Sequence, residues 1–183
     1  MPDTALIVID MLNKYDHEDA EPLAESVAEQ LQAIVDLRDQ AREDPEVLTV
    51  YVNDNFGAWE AGPGELVEMA LAGERPDLVE PIAPREPVPF ITKGRHSIFY
   101  ETAVNHLLRI EDVERVIMVG QVTEQCILYS ALDAHMRDYE VAVSPAALAH
   151  IDAELAQAAL KMMEKNLHAR MREAPLRDLV APK

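Results

Sequence analysis

Short apolar runs recur along the chain at fairly even intervals. Predicted strands cover residues 4–9, 47–52, 88–92, 115–119 and 140–143, with a sixth near 169–173. The first of these is unbroken and ends at Asp10. Runs of this length without polar alternation are typical of strands that are buried on both faces of a parallel sheet.

Amphipathic segments separate these runs. Helices are predicted over 22–43, 64–72, 101–110, 124–138 and after Asp152, which is expected to act as the N-cap. The apolar positions that define the inward faces are Leu23, Val27, Leu31, Ile34 and Val35 in the first helix, Ile127, Ala131 and Ala134 in the fourth, and Leu155, Ala159, Met162 and Leu167 in the last.

A proline-rich stretch interrupts the alternation. Five prolines lie between residues 76 and 89, and this density argues against a long helix. We expect an extended surface segment that leads into the third strand.

The alternation of buried strands and amphipathic helices predicts an α/β fold. We expect one domain over residues 1–183, with a doubly wound, Rossmann-like, mostly parallel sheet of about six strands and helices on both faces. Ligands of such sheets bind at the carboxyl ends of the strands, near the point where the strand order reverses.

Composition narrows the classes of partner. A formal net charge of −18 argues against binding to a nucleic-acid backbone. No apolar run reaches the ~18 residues of a membrane span, and the first residues lack the basic region of a signal peptide. A single cysteine cannot form an internal disulfide. We therefore expect a cytoplasmic protein that acts on a small molecule.

The single cysteine, Cys126, is the first candidate for chemistry. It follows the strand that ends near Gly120, at the predicted start of a helix, where the helix dipole favours the thiolate. The alternative is a small buried thiol that packs as an apolar side chain. Position alone does not separate these two interpretations.

Asp10 and Lys93 follow two other apolar runs, so all three residues lie at the same edge of the predicted sheet. Asp10 is a candidate general base, or else a helix cap or a carboxylate that accepts hydrogen bonds within its loop. Lys93 is a candidate cation that stabilises both other groups, or else an ordinary solvated lysine.

Three motifs together resemble the isochorismatase-like cysteine hydrolases. The motifs are residues 6–13 (LIVIDMLN), 93–102 (KGRHSIFYET) and 120–127 (GQVTEQCI), the last followed by Ala131 to Ala134 (ALDA). Their order and spacing match the family, and the resemblance covers about residues 4–170. The family includes isochorismatases, nicotinamidases, N-carbamoylsarcosine amidohydrolases and ureidoacrylate hydrolases.

The resemblance implies a catalytic triad of Asp10, Lys93 and Cys126. It also implies a cis peptide at Val122–Thr123, with a turn that points backbone N–H groups at an oxyanion. The implied reaction is acyl transfer, in which Cys126 attacks an amide or ureide carbonyl after Asp10 takes its proton. Assembly as a homodimer or homotetramer is implied as well.

The chain departs from the family pattern at three positions. Family members often have Gln and Asp where this chain has Leu12 and Lys14, and an acidic residue near the position of Pro145. Lys14 is a candidate substrate contact or a surface residue. These departures concern the substrate rather than the triad.

No metal or other cofactor is expected. Nicotinamidases carry an Asp-x-His motif after the second strand, whereas residues 53–57 read NDNFG here, without histidine. Phe56 and Trp59 are candidate walls of a substrate pocket, with Tyr15 opposite, or they pack the loop. Arg95 and its neighbour His96 are candidates for anion binding or for holding the loop.

These observations favour a cysteine hydrolase that cleaves a small amide- or ureide-like C–N bond through a thioester. One alternative is an isochorismatase, which hydrolyses a vinyl ether to release pyruvate and needs no thiol. Another is a catalytically silent binding or regulatory protein of the same fold. An intact Cys126 favours the first interpretation.

Overall fold

The computed structural model describes residues 2–85, 87–173 and 175–180. Six strands form one parallel sheet in the order β3-β2-β1-β4-β5-β6. The strands are β1 (Thr4–Ile9), β2 (Val47–Asp54), β3 (Phe90–Lys93), β4 (Arg115–Gly120), β5 (Glu140–Leu148) and β6 (Arg170–Met171). The predicted fold class is confirmed.

The helices are α1 (Ala20–Glu43), α2 (Pro63–Leu71), α3 (Pro76–Val79), α4 (Val104–Ile110), α5 (Leu128–His135), α6 (Ala153–Asn166) and α7 (Leu176–Val180). A π-helical turn, Thr123–Ile127, leads directly into α5. No helix among the described residues is long and apolar enough to cross a membrane.

Two apolar layers cover the two faces of the sheet. One joins alternate β1 residues such as Leu6 and Val8 to side chains of α1, α2, α3 and α7. The other joins Ala5, Ile7 and Ile9 to side chains of α4, α5 and α6. Every β1 side chain is therefore buried, which explains why the strand reads as an unbroken apolar run.

The structure corrects the proline-rich segment. Pro76 begins a short helix, α3, because proline is compatible with a first helical turn. Leu78 and Val79 of this helix, and Ile82 just after it, are buried. The proline-rich segment therefore contributes to the core, and the prediction that it is only an extended surface segment is wrong.

The predicted inward face of α6 is right at Ala159 and wrong by one position at Leu155 and Met162. Asp152 caps the helix as predicted, accepting hydrogen bonds from the N–H groups of Glu154 and Leu155. Ala156, Ala159 and Met163 are the buried residues, whereas Leu155 and Met162 are exposed. Apolar residues are adjacent in the sequence at both places, Leu155 next to Ala156 and Met162 next to Met163, so the sequence alone is compatible with either face. The short helix α7 was not predicted.

Candidate active site

The strand order brings three predicted residues to one edge of the sheet. Asp10 directly follows the central strand β1, Lys93 is the last residue of β3, and Cys126 lies in the π-helical turn after β4. The chain builds outward from β1 through β2 to β3, and then from β4 to β6 on the other side. The site therefore lies where the strand order reverses.

Lys93 connects the other two side chains. Its Nζ lies 2.7 Å from Asp10 Oδ2 and 3.5 Å from Cys126 Sγ. Asp54 Oδ2 is a more distant neighbour of the same nitrogen, at 3.6 Å. Lys93 is only 2% exposed, which rules out the ordinary solvated lysine.

Asp10 is held in place by hydrogen bonds from both neighbouring strands. Its backbone φ is 56°, and its N–H donates to the Val52 carbonyl at 3.0 Å. Its Oδ1 accepts the Asp54 N–H at 2.7 Å, and its carbonyl accepts Gln121 Nε2 at 2.5 Å. A loop rather than a helix follows, so Asp10 is not a helix cap.

The electrostatics of the thiol differ from the sequence-based expectation. Burial, reinforced by the charge of Asp10, raises the pKa of Cys126 to about 12 despite the opposing effect of Lys93. Cys126 does lie at the start of a helix, but desolvation outweighs the helix dipole there. The resting group is therefore a thiol, and the helix dipole alone does not produce a resting thiolate here.

The two charged groups are also perturbed. Burial raises the pKa of Asp10, although Lys93 opposes this effect. For Lys93 burial acts to lower the pKa, but Asp10 and Cys126 outweigh it and the pKa is raised. Lys93 therefore stays cationic, and a carboxyl with a raised pKa is a better proton acceptor than an ordinary aspartate.

The turn between β4 and Cys126 begins at Gly120, whose φ is +116°. A Cβ at this position would lie 2.2 Å from the Ile9 carbonyl oxygen, so no side chain fits. This close approach lets the Gln121 N–H donate to the Ile9 carbonyl at 3.1 Å. The turn is thereby fixed to the strand that carries Asp10.

The cis peptide is at Gln121–Val122, one bond earlier than the predicted Val122–Thr123. Thr123 is not free to face an oxyanion, because its N–H and its Oγ1 both donate to the Ala149 carbonyl at 2.8 Å. The oxyanion assignment of Thr123 is therefore corrected. The Val122 carbonyl accepts from the N–H groups of Gln125 and Ile127 at 3.1 Å, on either side of Cys126.

The three residues open into a cavity of about 510 Å³. Its walls come from the loop after β1, the ends of β2 and β3, and the turn after β4. The lining residues are Asp10, Asn13, Lys14, Asp16, His17, Asp19, Leu23, Asp54, Phe56, Lys93, His96, Gln121, Val122, Gln125, Cys126 and Ile151. The volume suits a small-molecule ligand.

Sequence reasoning missed several of these residues. The loop after β1 contributes Asp16, His17 and Asp19, and Gln121 connects the turn to Asp10. The available signal was position alone, because the loop follows the carboxyl end of the central strand. Lys14, left open as a substrate contact or a surface residue, lines the cavity.

The predicted substrate-binding residues separate into one that lines the cavity and three that do not. Phe56 lines it and is 48% exposed. Tyr15 is 3% exposed and its hydroxyl donates to Gln121 Oε1 at 3.4 Å, so it supports the turn instead. Trp59 is 78% exposed and packs near Gly94. The exposed Arg95 does not line the cavity, and its side chain donates to the carbonyl of its chain neighbour Gly94 at 3.2 Å.

The arrangement of potential ligand side chains in the described residues does not indicate a metal site. Within the described part of the chain, no group of three or more His, Cys, Asp or Glu side chains is arranged to hold a metal ion. Asn53, near the end of β2 where nicotinamidases begin their Asp-x-His motif, instead exchanges hydrogen bonds with the Leu12 backbone. That the protein works without a metal stays a prediction.

Comparison with known proteins agrees with this fold. The model of the isochorismatase domain family matches residues 4–174. The chain is 33% identical, over 91% of its length and 92% of the relative's, to YaaI of Bacillus subtilis, an uncharacterized isochorismatase family protein. The chain therefore belongs to the isochorismatase family, as the motifs predicted, and is a hydrolase.

Solved structures show the same architecture. A cysteine hydrolase from Pseudomonas syringae superimposes with a TM-score of 0.71 at 26% identity, covering 92% of this chain and 87% of the other. A pyrazinamidase/nicotinamidase from Streptococcus mutans has a TM-score of 0.70 at 22% identity, covering 92% and 99%. At this identity the second comparison shows the fold alone.

Proposed function

We propose that this hydrolase cleaves a small amide- or ureide-like C–N bond through a thioester on Cys126. The observation that carries the proposal is the placement of Lys93 Nζ between Asp10 Oδ2, at 2.7 Å, and Cys126 Sγ, at 3.5 Å, beside one cavity. A nucleophile, a base and a fixed cation next to a small-molecule cavity are the parts that acyl transfer needs.

In the acylation step, Asp10 accepts the thiol proton as Sγ attacks the carbonyl carbon. The raised pKa of Asp10 favours this transfer, because the carboxyl binds the proton more readily than an ordinary aspartate. Asp10 then returns the proton to the departing nitrogen. The C–N bond breaks, a C–S bond remains, and the amine or ammonia leaves.

Lys93 keeps the total charge of the site balanced during this transfer. It pairs with the Asp10 carboxylate before the reaction and with the developing thiolate during it. The cation does not move, so no solvent has to reorganise around it. A lysine that is 2% exposed and has a raised pKa stays charged throughout.

The tetrahedral oxyanion requires hydrogen-bond donors near Sγ. The N–H of Cys126 itself is the candidate, because the flanking N–H groups of Gln125 and Ile127 already donate to the Val122 carbonyl. Its position at the start of a helix adds the favourable end of the helix dipole. In the second half-reaction Asp10 takes a proton from water as the water oxygen attacks the thioester carbon. The C–S bond then breaks, the acid leaves, and Asp10 returns the proton to sulfur.

The charges that line the cavity bear on the alternative reaction. Asp16, Asp19 and Asp54 line it together with Asp10, against two lysines, of which Lys93 is already paired. A vinyl ether substrate that carries two carboxylates would meet this acidic lining. A neutral or singly charged amide fits the lining better, and this supports the C–N interpretation over the vinyl ether one.

Release of ammonia from a panel of small primary amides and ureides tests the proposal. We expect the wild-type protein to release ammonia from at least one member, and Cys126→Ala to release none. Release of pyruvate from a vinyl ether substrate by both proteins would favour the isochorismatase reaction instead. Assembly into a homodimer or homotetramer stays a prediction, which sedimentation of the purified chain checks.

A further inference from the structure

His96 lies beside the sulfur of Cys126, on the side that faces solvent. Its Nδ1 is 3.8 Å from Sγ, and its side chain lines the cavity. Lys93 Nζ approaches the same sulfur at 3.5 Å but is buried, whereas His96 is exposed. The sulfur therefore has a fixed cation on the buried side and a titratable ring, open to water, on the other.

The helix that carries the nucleophile also holds this ring. Tyr129 follows Cys126 by three residues, which is about one helical turn, and its ring lies 5.5 Å from the His96 ring at an interplanar angle of 34°. Within the part of the chain that the structure describes, Cys126 Sγ is the hydrogen-bonding partner of the imidazole. The ring is thus supported by Tyr129 and directed at the thiol.

The thiol needs a proton acceptor, because burial keeps it protonated at neutral pH. Asp10 is one acceptor, but both its oxygens are already engaged. Oδ1 accepts the Asp54 N–H and Oδ2 pairs with Lys93. Each of these interactions opposes the effect of burial, which still leaves the pKa of Asp10 raised overall. Among the described residues, the imidazole nitrogen next to Sγ has no such additional partner.

We propose that His96 is a second, alternative proton acceptor for the Cys126 thiol, which takes the single S–H proton from the solvent side while Asp10, on the buried side, remains a carboxylate. In this step the S–H bond breaks, an Nδ1–H bond forms, and the electron pair stays on sulfur to give a thiolate–imidazolium pair. When the thiolate attacks an acyl carbon, the same proton passes to the departing nitrogen. The inference rests on the proposed nucleophilic role of Cys126.

Several charged groups surround this pair. A carboxylate stabilises a nearby cation and opposes a nearby thiolate, and a lysine does the reverse, so the effect of each depends on which member of the pair it is closer to. The titratable and charged groups that share the cavity with His96 are Asp10, Lys14, Asp16, His17, Asp19, Asp54, Lys93 and Cys126, and Tyr129 packs against its ring.

Alkylation by iodoacetamide between pH 6 and pH 10 tests the proposal without a substrate. Cys126 is the single cysteine of the chain, so the reaction reports on one sulfur. We expect His96→Gln to lower the second-order rate constant tenfold or more at pH 7. The difference should narrow towards pH 10, because direct ionisation of the thiol then replaces the lost base. Arg95→Gln, in the same loop, is the matched control and should follow the wild type.

Three results would overturn the proposal: a His96→Gln rate equal to wild type at pH 7, a loss by the same factor at every pH, or a wild-type thiol that reacts only above pH 9. A uniform loss would indicate a displaced loop rather than a missing base.

Asp10→Asn separates this inference from the proposed function. If Asp10→Asn abolishes ammonia release while His96→Gln changes neither the rate of ammonia release nor the rate of alkylation, the proposed triad stands and the second acceptor is wrong.

Discussion

Lys93 and Asp10 form an ion pair at the centre of the site, with Nζ and Oδ2 2.7 Å apart and both residues less than a tenth exposed. A buried pair of this kind contributes little net stability compared with apolar residues, because two ions must be desolvated. Its presence here is explained by chemistry, since the pair supplies a base and a fixed cation next to Cys126 Sγ.

Removing one member of this pair should be costly. We expect Lys93→Gln to lower the free energy of unfolding by about 3–5 kcal/mol at pH 8, because the Asp10 carboxylate is left buried without its cation. The loss should shrink towards pH 5. The pKa of Asp10 is already raised and rises further without Lys93, so the neutral acid forms and the penalty disappears as pH falls. Urea unfolding at both pH values measures this, and an equal loss at the two would contradict the account.

Alkaline stability should depend on the thiol. The pKa of Cys126 is about 12 in the folded protein against 9.0 as its ordinary value, so between these values the unfolded chain loses the proton first. The stability from this group is therefore complete below pH 9 and is lost as pH rises towards 12. Cys126→Ser should show a shallower decline than the wild type from pH 9 to pH 11 in urea unfolding. Parallel declines would mean that the thiol is not buried.

Gly120 should tolerate no side chain. A Cβ there would lie 2.2 Å from the Ile9 carbonyl oxygen, at a φ of +116°. We expect Gly120→Ala to cost on the order of 3 kcal/mol or more, because both the clash and the backbone strain act together. Gly94→Ala is the matched control, since its Cβ would approach only the exposed Trp59 ring, which can move. Thermal unfolding compares the two, and similar melting temperatures would refute this description of the turn.

Substitutions of Phe56 and Trp59 should differ in their effect on KM. Phe56 lines the cavity, so Phe56→Ala should raise KM by roughly tenfold with little change in kcat, as expected for lost apolar contact. Trp59 lies outside the lining and is 78% exposed, so Trp59→Ala should leave KM within about twofold. Steady-state kinetics on an amide from the panel provides the comparison. A larger effect at Trp59 would place the substrate elsewhere.

The sequence predicted the sheet well because its signal is local. Strands β1 and β4 are buried along their whole length and read as apolar runs, and β1 matched its predicted bounds of 4–9. The face of α6 was less certain, because Leu155 and Ala156, and Met162 and Met163, offer two apolar stripes one position apart. Only packing against the sheet selects Ala156 and Met163.

The site was predictable in its main residues but not in its energetics. Asp10, Lys93 and Cys126 follow apolar runs that end at one edge of the sheet, and this placement brings them together. The protonation state of the Cys126 thiol depends on its burial and on its distance to Asp10. Neither quantity can be deduced from the spacing of residues in the sequence. The contact of His96 with Sγ likewise depends on how a loop folds back over the helix start.

The most direct test of the central claim is acid-quenched intact-mass spectrometry of the protein during turnover of an amide or ureide that it hydrolyses. The account predicts an acyl adduct on Cys126 that forms with release of ammonia or amine. The adduct should be absent in Cys126→Ala and should form about 10²–10⁴ times more slowly in Asp10→Asn. Turnover by Cys126→Ala at the wild-type rate, with no adduct in either protein, would contradict a thioester mechanism.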